Sequence, residues 1–233
     1  MGTHVQVTDD VWRILPQLRV MVVWGRGIDN SGVVPSSVLA RAQEASAEFV
    51  TAEVFSQNPV VEQWREVFRR FRTKKGARSS VENLLKRANR SGAELASIGP
   101  VVDIYNAVSL TYALPCGAED LAAIRGDLRL GVAAGGEAFR TLGEDEDSPA
   151  LPGEVCYLDD AGAVCRCLNW REAERTCVTP ATTDVVCVIE TEKWYLDRAR
   201  AACTELQRLL AFHVGGQFDS AELSPDRPSV ELV

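Results

Sequence analysis

The run VVDIYNAVSLTYALPCGAEDLAAIRGDLRLGVAAGGEAF, residues 101–139, constrains this chain more than any other stretch. Val101, Ile104, Val108 and Leu110 to Leu114 recur at helical spacing, which leaves Asp103 and Asn106 as polar exceptions on a helix otherwise fit to be covered. Pro115, Cys116 and Gly117 read as a break, Glu119 and Asp120 as a short acidic turn followed by a short helix, and LRLGVAA after Gly126 as a half-buried strand. A buried-facing asparagine needs a hydrogen-bond partner, so Asn106 either braces a neighbouring loop or faces a ligand.

The rest of the chain supplies elements to pack on that helix. LRVMVVWGRGI predicts a strand, SSVLARAQEASAEFVTAEVF a helix capped by Ser36 or Ser37, and Pro59 opens a second helix whose inward face is Val60, Trp64, Val67, Phe68 and Phe71. Ser79 or Ser80 caps a third helix, SVENLLKRANR. EVCYLDD and AGAVCRCLNW form a hairpin through residues 159–162, VVCVIE is a strand, and Glu192 to His213 is the last long helix. Residues 1–10 read as a loose leader and 219–233 as a disordered tail, around one domain over 11–218 in which two sub-lobes, 11–100 and 101–218, can pack together. Interleaved helices and hairpins predict an α+β fold, a mixed, largely antiparallel sheet with flanking helices.

Composition narrows the function classes. At 233 residues the chain can bury a sizeable core, and its formal charge of −8 opposes indiscriminate nucleic-acid binding. Yet residues 62–90 carry ten basic against three acidic side chains, so the remainder stands near −15. A phosphate-facing surface would show such segregation, as would an ordinary solvated helix face. The candidate contacts are Arg69, Arg70, Arg72, Lys74, Lys75, Arg78, Lys86 and Arg87. Seven cysteines lack metal-ligand spacing, and only His4 and His213 are available as histidines, so no metal, no cofactor and no Ser-His-Asp triad is expected. The apolar run Val20 to Trp24 is too short to span a bilayer and no cationic leader precedes it, which predicts a cytoplasmic protein without membrane or DNA partners.

The string VVDIYNAV followed by LPCGAEDLAAIRGDL resembles the VVDxTNYV and QPxHAFDxDKIxG segments of the bacterial phenylalanyl-tRNA synthetase beta subunit. Those segments belong to its tRNA-editing module, which also occurs as free-standing proteins with a similar W-R-E helix and K-x-x-x-R-S-S-V-E string. The likeness is gap-free from Val101 to Gly126, loosens toward Glu190 and reaches weakly back to Trp64. It implies a pocket between two sub-lobes that hydrolyses a mischarged aminoacyl ester. Carried over by position, the module's asparagine is Asn106, its histidine falls on Gly117, its loop glutamate on Glu174, and its side-chain-reading carboxylate on Glu190 if two residues are inserted in VVCVIE and on Val188 without that insertion. The glycines beside that glutamate are here Arg171, Glu172 and Ala173.

This implies Asn106, Glu174 and Glu190 as catalytic residues, with Asn169, Arg171, Glu172, Arg175 and Gly117 around the substrate. A bulkier, charged wall favours a smaller or more polar ligand than tyrosine. The expected function is a trans-acting aminoacyl-tRNA deacylase with aminoacylated tRNA as partner. The alternatives are a non-catalytic binder of tRNA or amino acid, and an enzyme using aminoacyl-tRNA as donor.

Overall fold

The computed structural model describes residues 3–90, 92 and 94–232. Ten strands and six helices follow in the order β1 (Thr3–Val7), α1 (Asp9–Ile14), β2 (Leu18–Arg26), α2 (Ser36–Ser46), α3 (Pro59–Phe68), α4 (Ser80–Ala88), α5 (Pro100–Tyr112), β3 (Cys116–Asp120), β4 (Leu128–Val132), β5 (Val155–Asp159), β6 (Gly162–Arg166), β7 (Arg171–Glu172), β8 (Asp184–Glu192), α6 (Leu196–Val214), β9 (Gln217–Leu223) and β10 (Ser229–Leu232). The fold is α+β, with a six-stranded sheet ordered β10-β1-β4-β5-β6-β7 and a four-stranded sheet ordered β3-β8-β2-β9. Among the described residues only β1 with β4 is a parallel pair.

Alternation along the four-stranded sheet decides what each face meets. Cys116 and Ala118 stand opposite Ile189 and Cys187, whereas Gly117 and Glu119 stand opposite Val188 and Val186. Paired residues share a face. The first set faces the helices, with Cys187 and the α6 residue Cys203 close to Cys116. The second set, joined by Glu190, faces the other sheet, where Tyr157 and Cys165 lie beside Glu190. The main apolar core spans both layers, and a small second core of Ala133, Phe139, Ala150, Cys156, Ala163 and Ala173 covers the far face of the six-stranded sheet.

Several sequence expectations change. The leader and the tail are ordered: residues 3–7 and 229–232 pair with each other as β1 and β10, and 217–223 pair with β2. Val5, Val7, Leu223 and Leu232 bury their side chains in the core, which drives that pairing. Residues 1, 2 and 233 lie outside the described residues.

The break at Pro115 to Gly117 is instead the start of an edge strand. Ala113 ends α5 in a left-handed conformation, φ 47°, the Ser109 hydroxyl caps the Leu114 carbonyl at 2.6 Å, and the Glu190 N–H donates to the Pro115 carbonyl at 3.0 Å. The helix expected over residues 36–55 stops at Ser46, whose hydroxyl turns back to the Gln43 carbonyl at 2.7 Å. The last helix begins at Leu196 because Glu192 still belongs to β8.

Ser79 caps α4 as its spacing predicts, accepting from the Glu82 N–H. All seven cysteines are free and six are buried as small apolar side chains. Among the described residues no helix is long and apolar enough to cross a membrane.

Candidate functional site

A cavity of about 310 Å³ opens where α4, α5 and the β6–β7 turn converge. Asn83, Leu84 and Arg87 of α4 form one wall, Val102, Tyr105, Asn106 and Ser109 of α5 a second, and Asn169 to Glu172 a third. The helical repeat of three and four residues puts 102, 105, 106 and 109 on one stripe, so the polar exception Asn106 faces the same space as Tyr105. Its carboxamide makes no hydrogen bond among the described residues, and the other polar exception, Asp103, is structural: it accepts from the Ser97 hydroxyl and the Ile98 N–H and fixes the start of α5.

The structure divides the expected site residues. Asn106, Asn169, Arg171 and Glu172 line one cavity, and Arg87 from the basic segment stands at its rim. Glu174 and Arg175 do not join them. They line a separate depression of about 290 Å³ with Phe139, Arg140 and Ala163 on the far side of the six-stranded sheet. The reason is strand alternation: Glu172 turns inward, the buried Ala173 packs outward into the second core, and the following helical turn continues away from the cavity. Arg175 is occupied by the fully buried carboxylate of Asp159, at 2.6 and 2.8 Å.

Gly117 fills its role by absence. A Cβ there would lie 2.5 Å from Asn169 Nδ2 and 2.6 Å from its Oδ1, so the Asn169 carboxamide occupies the volume a side chain at 117 would need. Cys165 donates to Asn169 Oδ1 at 3.4 Å, while Asn169 Nδ2 is buried without a partner.

Behind this floor the two sheets enclose an unusual set of polar groups. Both carboxylate oxygens of Glu190, one of Glu119, the Tyr157 hydroxyl and the Thr176 hydroxyl are buried with no hydrogen-bond partner among the described residues. Burial pushes Glu190 up to about 8; the Tyr157 hydroxyl and the Asn169 N–H face it and pull the other way without closing a hydrogen bond. Burial, and then the neighbouring Glu172 carboxylate, hold Glu119 well above the usual range. Burial also raises Glu172 to about 7. Tyr105 is raised by its own burial and then by Glu172 and Glu119, which places all three together.

Glu119, Tyr105 and Tyr157 escape sequence reasoning. The first sits in a stretch that reads as a turn, and the two tyrosines carry no local signal. The first of the two acids in CGAED, on the same face of the alternation as Gly117, was the available signal.

The eight candidate phosphate contacts are all exposed, but unequal. Arg69 is held by Glu66, Arg70 approaches Glu192 at 3.9 Å, Arg78 approaches Glu82 at 3.7 Å, and Lys74 donates to the Ser148 hydroxyl at 2.7 Å. Arg72, Lys75, Lys86 and Arg87 have no carboxylate within 4 Å among the described residues. Among those residues, too, no group of three His, Cys, Asp or Glu side chains could hold a metal ion.

The B3/4 domain model matches residues 63–201, more than half of the chain. Among solved structures, the chain is similar to an N-terminal fragment of the phenylalanyl-tRNA synthetase beta subunit from Pyrococcus horikoshii, at 13% identity and a TM-score of 0.47. That likeness covers 94% of this chain and 53% of the other, so the chain spans about half the length of that structure. No curated protein sequence matches it.

Proposed function

The chain belongs to the B3/4 domain family, and from that premise we propose that it hydrolyses the ester bond of an aminoacyl-tRNA, with the cavity of Asn106, Asn169, Arg171 and Glu172 as the reaction site. One observation carries the reading: Glu172, a carboxylate pushed up to about 7, stands in the same small cavity as an asparagine amide that makes no hydrogen bond among the described residues. A general base works best when its pKa lies near the operating pH.

Water positioned on Glu172 loses a proton to it and attacks the ester carbonyl carbon. Asn106 Nδ2 donates to the carbonyl oxygen as negative charge develops there. The bond from the acyl carbon to the ribose oxygen breaks, and Glu172 returns its proton to that oxygen. Glu119 beside it is held protonated by its own burial and by the Glu172 carboxylate, so Glu172 is the one of the two that carries the charge. Arg87 and Arg171 at the rim, the latter stacked 5.6 Å from the Trp170 ring, suit the terminal phosphates and base of the acceptor end. The uncommitted Arg72, Lys75 and Lys86 extend the same charge along the surface.

Deacylation of a panel of matched and mismatched aminoacyl-tRNAs tests the reading. The expected result is loss of at least one mismatched species, with kcat/KM rising with pH and levelling above about 7. Glu172→Gln lowers turnover by about 10² to 10⁴ and removes that pH dependence, whereas Glu174→Ala leaves it unchanged. Intact esters with retained tRNA binding would instead make the chain a binding module.

A further inference from the structure

We propose that Trp194 and Tyr195, with the cations Lys193 and Arg198 laid against their rings, form a stacking platform for unpaired nucleotides of RNA. The class of partner rests on the tRNA reading above, but none of these residues lines the cavity, so the platform and the reaction are separable.

The platform arises in a gap between two covered elements. Strand β8 runs to Glu192 and α6 starts at Leu196, so Lys193, Trp194 and Tyr195 fall in one short 3₁₀ turn that belongs to neither. Trp12, Trp24 and Trp64 are buried, whereas Trp194 is 66% exposed and Tyr195 37%. An indole left in water forgoes the burial that dominates its energetics, so an exposed one beside a second ring marks a contact surface.

The cations decide what kind of contact. Lys193 Nζ stands 4.9 Å from the centre of the Trp194 ring, and the Arg198 guanidinium 4.6 Å from that of Tyr195 and 5.7 Å from that of Phe49. Neither cation closes an ion pair among the described residues, and Arg198 Nε has no hydrogen-bond partner there. Glu48 faces Arg198 without pairing to it, while the other nearby acids are engaged: Asp197 meets Arg200 at 3.5 Å, and Glu192 accepts from Gln63 at 3.2 Å and meets Arg70 at 3.9 Å. Those Glu192 contacts also set the turn beside the end of α3, where Arg69 and Arg70 stand. Protein interfaces deplete lysine at their centres. Single strands, in contrast, are held by rings that stack on bases and cations that meet the flanking phosphates, and a duplex hides its base faces in its own stack.

Fluorescence anisotropy of labelled RNA tests the platform. The probes are single-stranded oligoadenylate, an abasic strand and a blunt duplex, matched in their number of phosphates. The native chain should bind oligoadenylate about tenfold tighter than either of the others. Trp194→Ala should remove that advantage, Trp194→Phe should restore most of it, and Trp194→Leu, apolar but without a π-face, should not. Lys193→Gln should lower the slope of log affinity against log salt by about 0.7, the loss of one phosphate contact.

Equal affinity for oligoadenylate and the abasic strand, an unchanged advantage in Trp194→Ala, or full rescue by Trp194→Leu would each overturn the platform. So would a native dimer that Trp194→Ala converts to a monomer in sedimentation, since rings buried between copies are closed to a base. Urea unfolding confirms that each variant is folded. Deacylation of intact aminoacyl-tRNA is scored apart from these titrations: hydrolysis without preference for bases removes the platform alone, and preference for bases without hydrolysis removes the deacylase alone.

Discussion

Glu154 and Glu190 are both fully withdrawn from solvent, yet the fold treats them in opposite ways. Arg166 grips Glu154 through two bonds of 2.6 and 2.8 Å, and the Leu151 N–H adds a third at 3.1 Å. The Arg166 guanidinium is itself completed by the Ser148 carbonyl and hydroxyl. Glu190 has none of this, and its ionisation is delayed to about 8. A buried carboxylate with its full complement of donors is architecture, and one left without them is held for something else or carried at a cost. Unpaired burial, rather than burial, marks the region worth testing.

Breaking the satisfied pair should give the largest effect. Arg166→Met leaves Glu154 charged and alone and should cost about 3–5 kcal/mol, read as a lowered urea midpoint. The unsatisfied glutamate should respond to pH instead of to a partner. Below the ordinary carboxylate value of 4.5 both folded and unfolded chains hold Glu190 neutral; as pH rises toward 8 only the unfolded chain ionises it. Stability should therefore fall across that window by an amount on the order of 5 kcal/mol and level above it. Glu190→Gln should lessen that fall, leaving the part carried by the raised Glu119 and Glu172, and a native profile that is already flat between pH 5 and 8 would remove the contrast between the two glutamates.

Gly117→Ala sharpens the comparison from the other side of the amide. The added methyl meets Asn169 and should destabilise the chain by about 1–3 kcal/mol, a loss that prior replacement of Asn169 by glycine should largely relieve. The smallest change in stability, and a distinct change in binding, belongs to the surface. Reversing the charge of Arg72, Lys75, Lys86 and Arg87 should leave the urea midpoint within about 0.5 kcal/mol while weakening tRNA association and flattening its dependence on salt. An unaltered salt slope would take the phosphates away from this face.

Much of the scaffold was legible because it announces itself locally. VVCVIE and LRVMVVW can only be covered strands, residues 159–162 make a hairpin turn, and Ser79 with Glu82 caps a helix. The strands that were missed, β1, β3, β7, β9 and β10, are edge or near-edge segments whose residues become strands only through their partners. The site followed the same division. Polar density at NWREAER pointed to a loop that lines a cavity, but the face that each residue takes is set by a one-residue alternation, so Glu172 lines it and Glu174 does not. Asn106 was visible as a polar break in an apolar stripe. Glu119, Tyr105 and Tyr157 were not, since nothing local shows that three distant elements bring them to one place.

Strand β1 lies between β4 and β10, with Thr3 opposite Leu232. During synthesis β1 must wait for β10, whose Leu232 follows Thr3 by 229 positions, and until it arrives a row of backbone donors and acceptors stays open along one side of β1. The six-stranded sheet therefore closes late, and quality control during synthesis has a long interval in which to meet an unfinished edge.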